Sequence, residues 1–150
     1  MKPFLILLIA SSFLLTACSE QVILPEGGCP GYKELGYMEQ DSLKTDPINV
    51  LDVKIVGDCL RLTLQYGGGC REHEVDLVLM IPECGTPPLP PPDFRISHDA
   101  NGDACKALIT QEYSFDLSGI REEGKSKTDF ILNARNAAGE MISTTYTYNY

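Results

Sequence analysis

Apolar and polar residues alternate along seven segments of the chain, and no stretch of comparable length has the apolar spacing of a helix. A period of two is typical of strands that bury one face. Seven strands separated by turns predict an all-β fold. We expect an antiparallel β-sandwich of Ig-like type, with a small β-barrel as the alternative. The predicted strands are residues 51–55, 60–66, 73–81, 94–98, 105–117, 130–134 and 142–150.

A proline-rich segment divides this pattern in the middle. Residues 82–92 contain six prolines, which lack the backbone N–H that a strand needs for pairing. The segment is therefore predicted to be a stiff, extended connector between the third and fourth strands.

Near the N-terminus lies a segment that is uncharged throughout and lacks the alternation of the predicted strands. Residues 4–17 carry no charge and follow Lys2, and as a helix they would reach about 21 Å, short of the roughly 30 Å core of a bilayer. This length is typical of the apolar region of a signal peptide. We therefore predict a cleaved signal peptide over residues 1–17.

The end of this segment resembles the lipobox of bacterial lipoproteins, because residues 15–18 read Leu-Thr-Ala-Cys. The resemblance implies cleavage before Cys18 and acylation of that cysteine, which would hold the chain in a membrane. Ser19 stands where an aspartate would signal retention in the inner membrane, so an outer-membrane location in the cell envelope is favoured. The expected domains are then a lipidated tether and irregular lead-in over residues 18–46 and a β-sandwich over residues 47–150.

The charge of the chain restricts its partners. Twenty-one acidic and twelve basic residues give a formal net charge of −9. This charge repels nucleic acids and anionic membrane surfaces. The expected partners are the membrane, through the lipid alone, and a protein of the envelope.

The six cysteines do not form three disulfides if Cys18 carries lipid, because five then remain. At most two disulfides form, and one thiol is left over. Cys29 and Cys84 lie in proline- and glycine-rich loops that a disulfide would stabilise, so we predict that they pair. Cys59 is the predicted unpaired thiol.

Two histidines and a cysteine share the phase of apolar strand faces and are predicted to point inward at strand ends. A buried histidine needs a hydrogen bond or a metal, because an unpaired buried polar group is costly. One hypothesis is a Cys70–Cys105 disulfide beside two hydrogen-bonded histidines, as an oxidising envelope favours. The other is a zinc site formed by Cys70, His73, His98 and Cys105.

The same segments carry a second resemblance. Gly-Gly-Cys-x-x-His at residues 68–73, His-x-x-x-Gly-Asp-x-Cys-x-Ala-Leu-Ile at residues 98–109 and Phe-Asp-Leu-Ser at residues 115–118 are similar to a family of small envelope lipoproteins of Bacteroidetes-type bacteria. The resemblance covers roughly residues 50–150. It implies a β-rich envelope lipoprotein and supplies no activity.

Catalytic motifs are missing from the sequence. It contains neither the Gly-x-Ser-x-Gly elbow of serine hydrolases nor a phosphate-binding glycine loop. We therefore predict a membrane-anchored envelope lipoprotein that is not an enzyme, needs no cofactor and acts as a binding or structural module. The alternative is a zinc-binding protein or a metal-dependent enzyme that uses the cysteine and histidine cluster.

Overall fold

The computed structural model describes residues 28–83 and 89–150. The predicted signal peptide, the lipidation site Cys18 and Cys84 lie outside these residues. No helix in the described part is long and apolar enough to cross a membrane. The described strands are β1 (Lys33–Gly36), β2 (Asn49–Val56), β3 (Cys59–Gly68), β4 (Glu74–Ile81), β5 (Asp93–Asp99), β6 (Ala107–Asp116), β7 (Lys127–Arg135) and β8 (Met141–Asn149).

These strands form two sheets. One has five strands in the order β1-β4-β5-β7-β8, and the other has three in the order β2-β3-β6. The predicted β-sandwich is confirmed, and the described strands do not close into a barrel. Most neighbouring strands are antiparallel, as predicted. Two pairs differ from the prediction, because β1 runs parallel to β4 and β5 runs parallel to β7.

The seven predicted strands correspond to β2–β8, and β3 and β5 bury every second residue as the alternation predicts. The clearest case is β3, whose Leu60, Leu62 and Leu64 are fully buried while the residues between them are not. The opposite sheet contributes residues such as Phe94 and Phe130, whose rings meet edge to face. The core therefore lies between the two sheets.

The lead-in before residue 47 contains a strand that the sequence analysis missed. β1 has four residues and no alternation, and it is held in the sheet by its parallel pairing with β4. Lys33 also forms a 2.7 Å ion pair with Asp76 of β4. Just before β1, the ring of Tyr32 packs edge to face on Phe94, 5.1 Å away between centroids. The sheet thus begins inside the segment expected to be irregular.

The cysteine near the start of the described chain has a different partner from the predicted one. Cys29 is bonded to Cys59, with 5.8 Å between their Cα atoms, so the predicted Cys29–Cys84 pair is wrong and Cys59 is not an unpaired thiol. The reason is the topology. Asp116 is the register partner of Cys59, and its N–H donates to the carbonyl of Pro30 at 2.7 Å. That bond brings the lead-in beside the start of β3.

Candidate functional site

The segments with cysteine and histidine meet at one end of the sandwich. β3 ends at Gly68, directly opposite Ala107 at the start of β6. Cys70 and Cys105 lie just beyond these positions, and they form a disulfide with 5.9 Å between Cα atoms. The predicted Cys70–Cys105 disulfide is confirmed. It joins the two loops that cover this end.

Beneath the disulfide lies a group that we call the histidine cluster, formed by Tyr66, His73, His98 and Asp103. The histidine side chains are only 2% and 1% exposed, so they point inward as predicted. Nδ1 of His73 and Nε2 of His98 are 2.9 Å apart. The ring of Tyr66 packs against both imidazoles, at 4.7 and 4.9 Å between centroids. Each buried imidazole therefore has both a hydrogen-bond partner and an aromatic contact.

The backbone determines which ring nitrogen of His98 carries hydrogen. Its Nδ1 lies 3.1 Å from the carbonyl oxygen of Asp46, which only accepts hydrogen bonds. Nδ1 therefore donates to Asp46, and Nε2 accepts from the Nδ1–H of His73. Burial lowers the pKa of His98, which favours this neutral form.

Asp103 connects the cluster to the loops. Its carboxylate accepts the backbone N–H groups of Cys105, Cys70 and Arg71 at 2.8, 2.8 and 2.9 Å, and Nε2 of His73 lies 3.4 Å away. These backbone hydrogen bonds, chiefly that of Cys105, hold the pKa of Asp103 well below its usual range. Sequence reasoning did not select this residue. The available signal was its place two residues before Cys105, which is the spacing of an Asx turn.

The four predicted zinc ligands lie at this end of the fold, but not as the hypothesis requires. Among the described residues, the compact group of metal-capable atoms consists of Cys70, Asp103 and Cys105, all within 4.8 Å of one another, and it includes neither His73 nor His98. Both sulfur atoms are bonded to each other, whereas zinc binds thiolates. The zinc site therefore stays a prediction for the reduced protein.

The arrangement of the cluster favours a structural role. Within the described part of the chain, every buried side-chain nitrogen and oxygen atom has a hydrogen-bond partner. Buried polar networks of this kind stabilise one arrangement of the surrounding loops when all members are satisfied. The polar atoms of this end thus hold β3, β4, β5 and β6 together.

A second feature lies along the side of the sandwich, and no sequence motif pointed to it. A groove of about 420 Å³ runs between β2 of the smaller sheet and β8 of the larger one; we call it the edge groove. Among the described strands, β2 pairs only with β3, and β8 pairs only with β7, so an unpaired strand edge borders the groove on each side. The lining residues are Ile48, Asn49, Val50, Leu51, Asp52, Val53, Leu132, Ala134, Asn136, Ile142, Thr144 and Tyr146.

At one corner of the groove, a backbone hydrogen bond joins the two sheets. There the N–H of Ile48 donates to the carbonyl of Arg135 at 2.8 Å. Farther along, β2 has a bulge between Val50 and Asp52, so its register shifts at Leu51. Leu51 and Ile142 remain 53% and 48% exposed. The groove thus presents apolar side chains to solvent. A contiguous exposed apolar patch is typical of a binding surface.

Comparisons with known proteins extend these observations. Residues 32–150 match the family model described as NigD-like C-terminal beta sandwich domain. Among curated proteins, none gives a significant match. Similar solved structures include a toxin-related protein from Parabacteroides distasonis, with 20% identity over 80% of this chain and a TM-score of 0.63. A NigD-like immunity protein from Bacteroides caccae has 16% identity over 80% of this chain and a TM-score of 0.55.

A protein of unknown function from Bacteroides vulgatus has 19% identity over 81% of the chain and a TM-score of 0.57. The matches cover 59%, 64% and 57% of these three structures, so the chain spans about three fifths of their length. At such identities the structures establish the shared fold alone. The family model covers most of the chain, and the chain therefore belongs to the NigD-like family through its C-terminal β-sandwich domain.

Proposed function

We propose that this protein is a lipid-anchored, non-enzymatic binding module of the outer membrane, and that it acts as an immunity-type protein against a protein partner. The lipobox resemblance at Cys18 supports the anchor. The relative from Bacteroides caccae, described as an immunity protein, supports the type of activity.

The observation that carries the proposal is the edge groove. Its exposed Leu51 and Ile142 are available for contact with another molecule, whereas the buried polar atoms of the histidine cluster have hydrogen-bond partners within the protein. Apolar contact surface is the usual source of affinity between proteins. A binding role therefore agrees better with this surface than a catalytic role does.

The anchor is tested by cell fractionation of the wild type and a Cys18→Ala variant. The wild type is expected in the outer-membrane fraction, and the variant in the soluble fraction. Ser19→Ala is the matched control, because it changes the adjacent residue and keeps the cysteine that the lipobox modifies. Retention of Cys18→Ala in the membrane would contradict the lipid anchor.

The immunity role is tested by survival of the producing bacterium in mixed culture with related competitor strains. Deletion of the gene is expected to lower survival beside at least one competitor. The wild-type chain should restore survival, whereas Cys18→Ala, which leaves the protein unanchored, should not. Equal survival of the deletion strain beside every competitor would refute this role.

A further inference from the structure

The four outer edges of the two sheets differ in charge, and one of them lacks the features that usually protect an edge strand. Exposed edges are normally protected by charged residues, proline or bulges. In the described part, β1 contains Lys33 and Glu34, β2 contains the Asp52–Lys54 ion pair and a bulge, and β6 contains Glu112. β8 has nine residues without a charge, a proline or a glycine. It is the unprotected edge.

The edge groove lies directly beside this edge. Ile142, Thr144 and Tyr146 are alternate residues of β8, and all three line the groove. A strand paired with β8 would lie about 4.8 Å farther along the sheet, above the groove. Every second side chain of that strand would then point into the groove, toward Val50 and Val53 of β2.

We propose that the edge groove binds an extended segment of a basic partner protein, which adds to the larger sheet as a sixth strand next to β8. Backbone hydrogen bonds to β8 would supply affinity, and apolar side chains at alternate positions would fill the groove. The inference rests on the proposed function, because it specifies how the binding module holds its partner.

Charge distinguishes this partner from a second copy of the chain. The net charge of −9 attracts a basic protein over long distances and repels an identical one. Because β8 carries no charge, it does not repel a charged segment that pairs with it. The segment that the groove accepts is therefore apolar at alternate positions and belongs to a positively charged protein.

The test uses the full chain, purified in lipid nanodiscs, and a defined peptide. The peptide is capped at both ends, has a core of alternating valine and threonine, and carries two lysines on each side. Binding is measured by fluorescence anisotropy, and hydrogen exchange of the β8 amides is followed by mass spectrometry. The peptide should bind, and exchange in β8 should slow. A peptide of the same composition with its valines in one block should bind about tenfold more weakly.

Two neighbouring residues provide a matched pair of variants. Ile142 and Met141 have similar exposure, at 48% and 51%, but only Ile142 lines the groove. Ile142→Asp should weaken peptide binding about tenfold or more, and Met141→Asp less than about twofold. Absence of binding, equal effects of the two variants, or equal affinity for the blocked peptide would overturn the proposal. Slow exchange in β8 without peptide, together with a dimeric mass, would overturn it in favour of a second copy.

This outcome is separable from the proposed function. If the peptide binds as expected but survival in mixed culture does not depend on the gene, strand addition stands and the immunity role falls. If survival depends on the gene but Ile142→Asp protects fully, the immunity role stands and strand addition falls.

Discussion

In the histidine cluster, His73 and His98 are hydrogen-bonded to each other, and His98 and Asp103 are hydrogen-bonded to the backbone. In the edge groove, by contrast, the side chains of Leu51 and Ile142 are exposed to solvent. A change in the cluster leaves a buried partner without its hydrogen bond, which costs stability. A change in the groove alters a side chain that is already exposed. Large effects on folding are therefore expected at the cluster, and effects on binding at the groove.

The largest loss of stability is expected when the disulfide above the cluster is removed. The double variant Cys70→Ser with Cys105→Ser should lose about 2–4 kcal/mol of unfolding free energy, measured by urea denaturation. The matched control is Cys29→Ser with Cys59→Ser, because the two disulfides close chain segments of 35 and 30 residues.

Loop entropy alone would make these two losses differ by only about 0.1 kcal/mol. The loop that carries Cys70 also donates its N–H groups to Asp103, so the first pair of substitutions should cost clearly more than the control pair. Equal losses would mean that the disulfide does not support the histidine cluster.

A smaller loss is expected from a single change inside the cluster. His98→Leu removes the partners of His73 Nδ1 and of the Asp46 carbonyl, and it should cost about 1–3 kcal/mol in the same denaturation experiment. Adding His73→Leu removes the unpaired imidazole, so the double variant should lose less than the sum of the two single variants. Additive losses would show that the two histidines do not depend on each other.

The sequence predicted much of this end of the fold because its signals are local. Strands β3 and β5 bury every second residue, as the alternation of Leu60, Leu62 and Leu64 in β3 shows directly. The inward direction of His73 and His98 followed from the same alternation. β1 was missed because it has four residues and is defined by its pairing with β4, which lies far away in the sequence.

The features that sequence reasoning missed depend on which distant segments meet. The partner of Cys29 is determined by the contact between Pro30 and Asp116, which no local pattern encodes. The edge groove requires β2 and β8 to lie on either side of one opening, although they are far apart in the sequence. Topology, not residue type, creates both features.

The next effect in size is the pH dependence of the unfolding free energy, which for the single proton of His98 is at most about 1.4 kcal/mol per pH unit. Folding lowers the pKa of His98, so its contribution to stability is complete above the unfolded pKa of about 6.5 and is lost as the pH falls through the folded pKa. Folding also lowers the pKa of Asp103, so a further loss follows below about pH 4.

Both shifts therefore make acid destabilising, in two steps that urea denaturation at about pH 7, 5 and 3 can separate. His98→Gln should remove the first step, and Asp103→Asn should reduce the second. If the first step has the same size in the wild type and in His98→Gln, the loss comes from groups outside the histidine cluster.

The smallest effect on folding is expected at the edge groove. Ile142→Asp and Leu51→Asp replace exposed side chains and should change the unfolding free energy by no more than about 0.5 kcal/mol. Leu132→Asp is the contrasting variant, because Leu132 lines the same groove but is buried, and its charge should be strongly destabilising. If Ile142→Asp were also destabilised by more than about 1 kcal/mol, its side chain would have to pack within the folded protein. If Ile142→Asp instead leaves the unfolding free energy nearly unchanged and weakens peptide binding, the edge groove affects binding without affecting the fold. The histidine cluster would then differ from it, because changes there affect the fold.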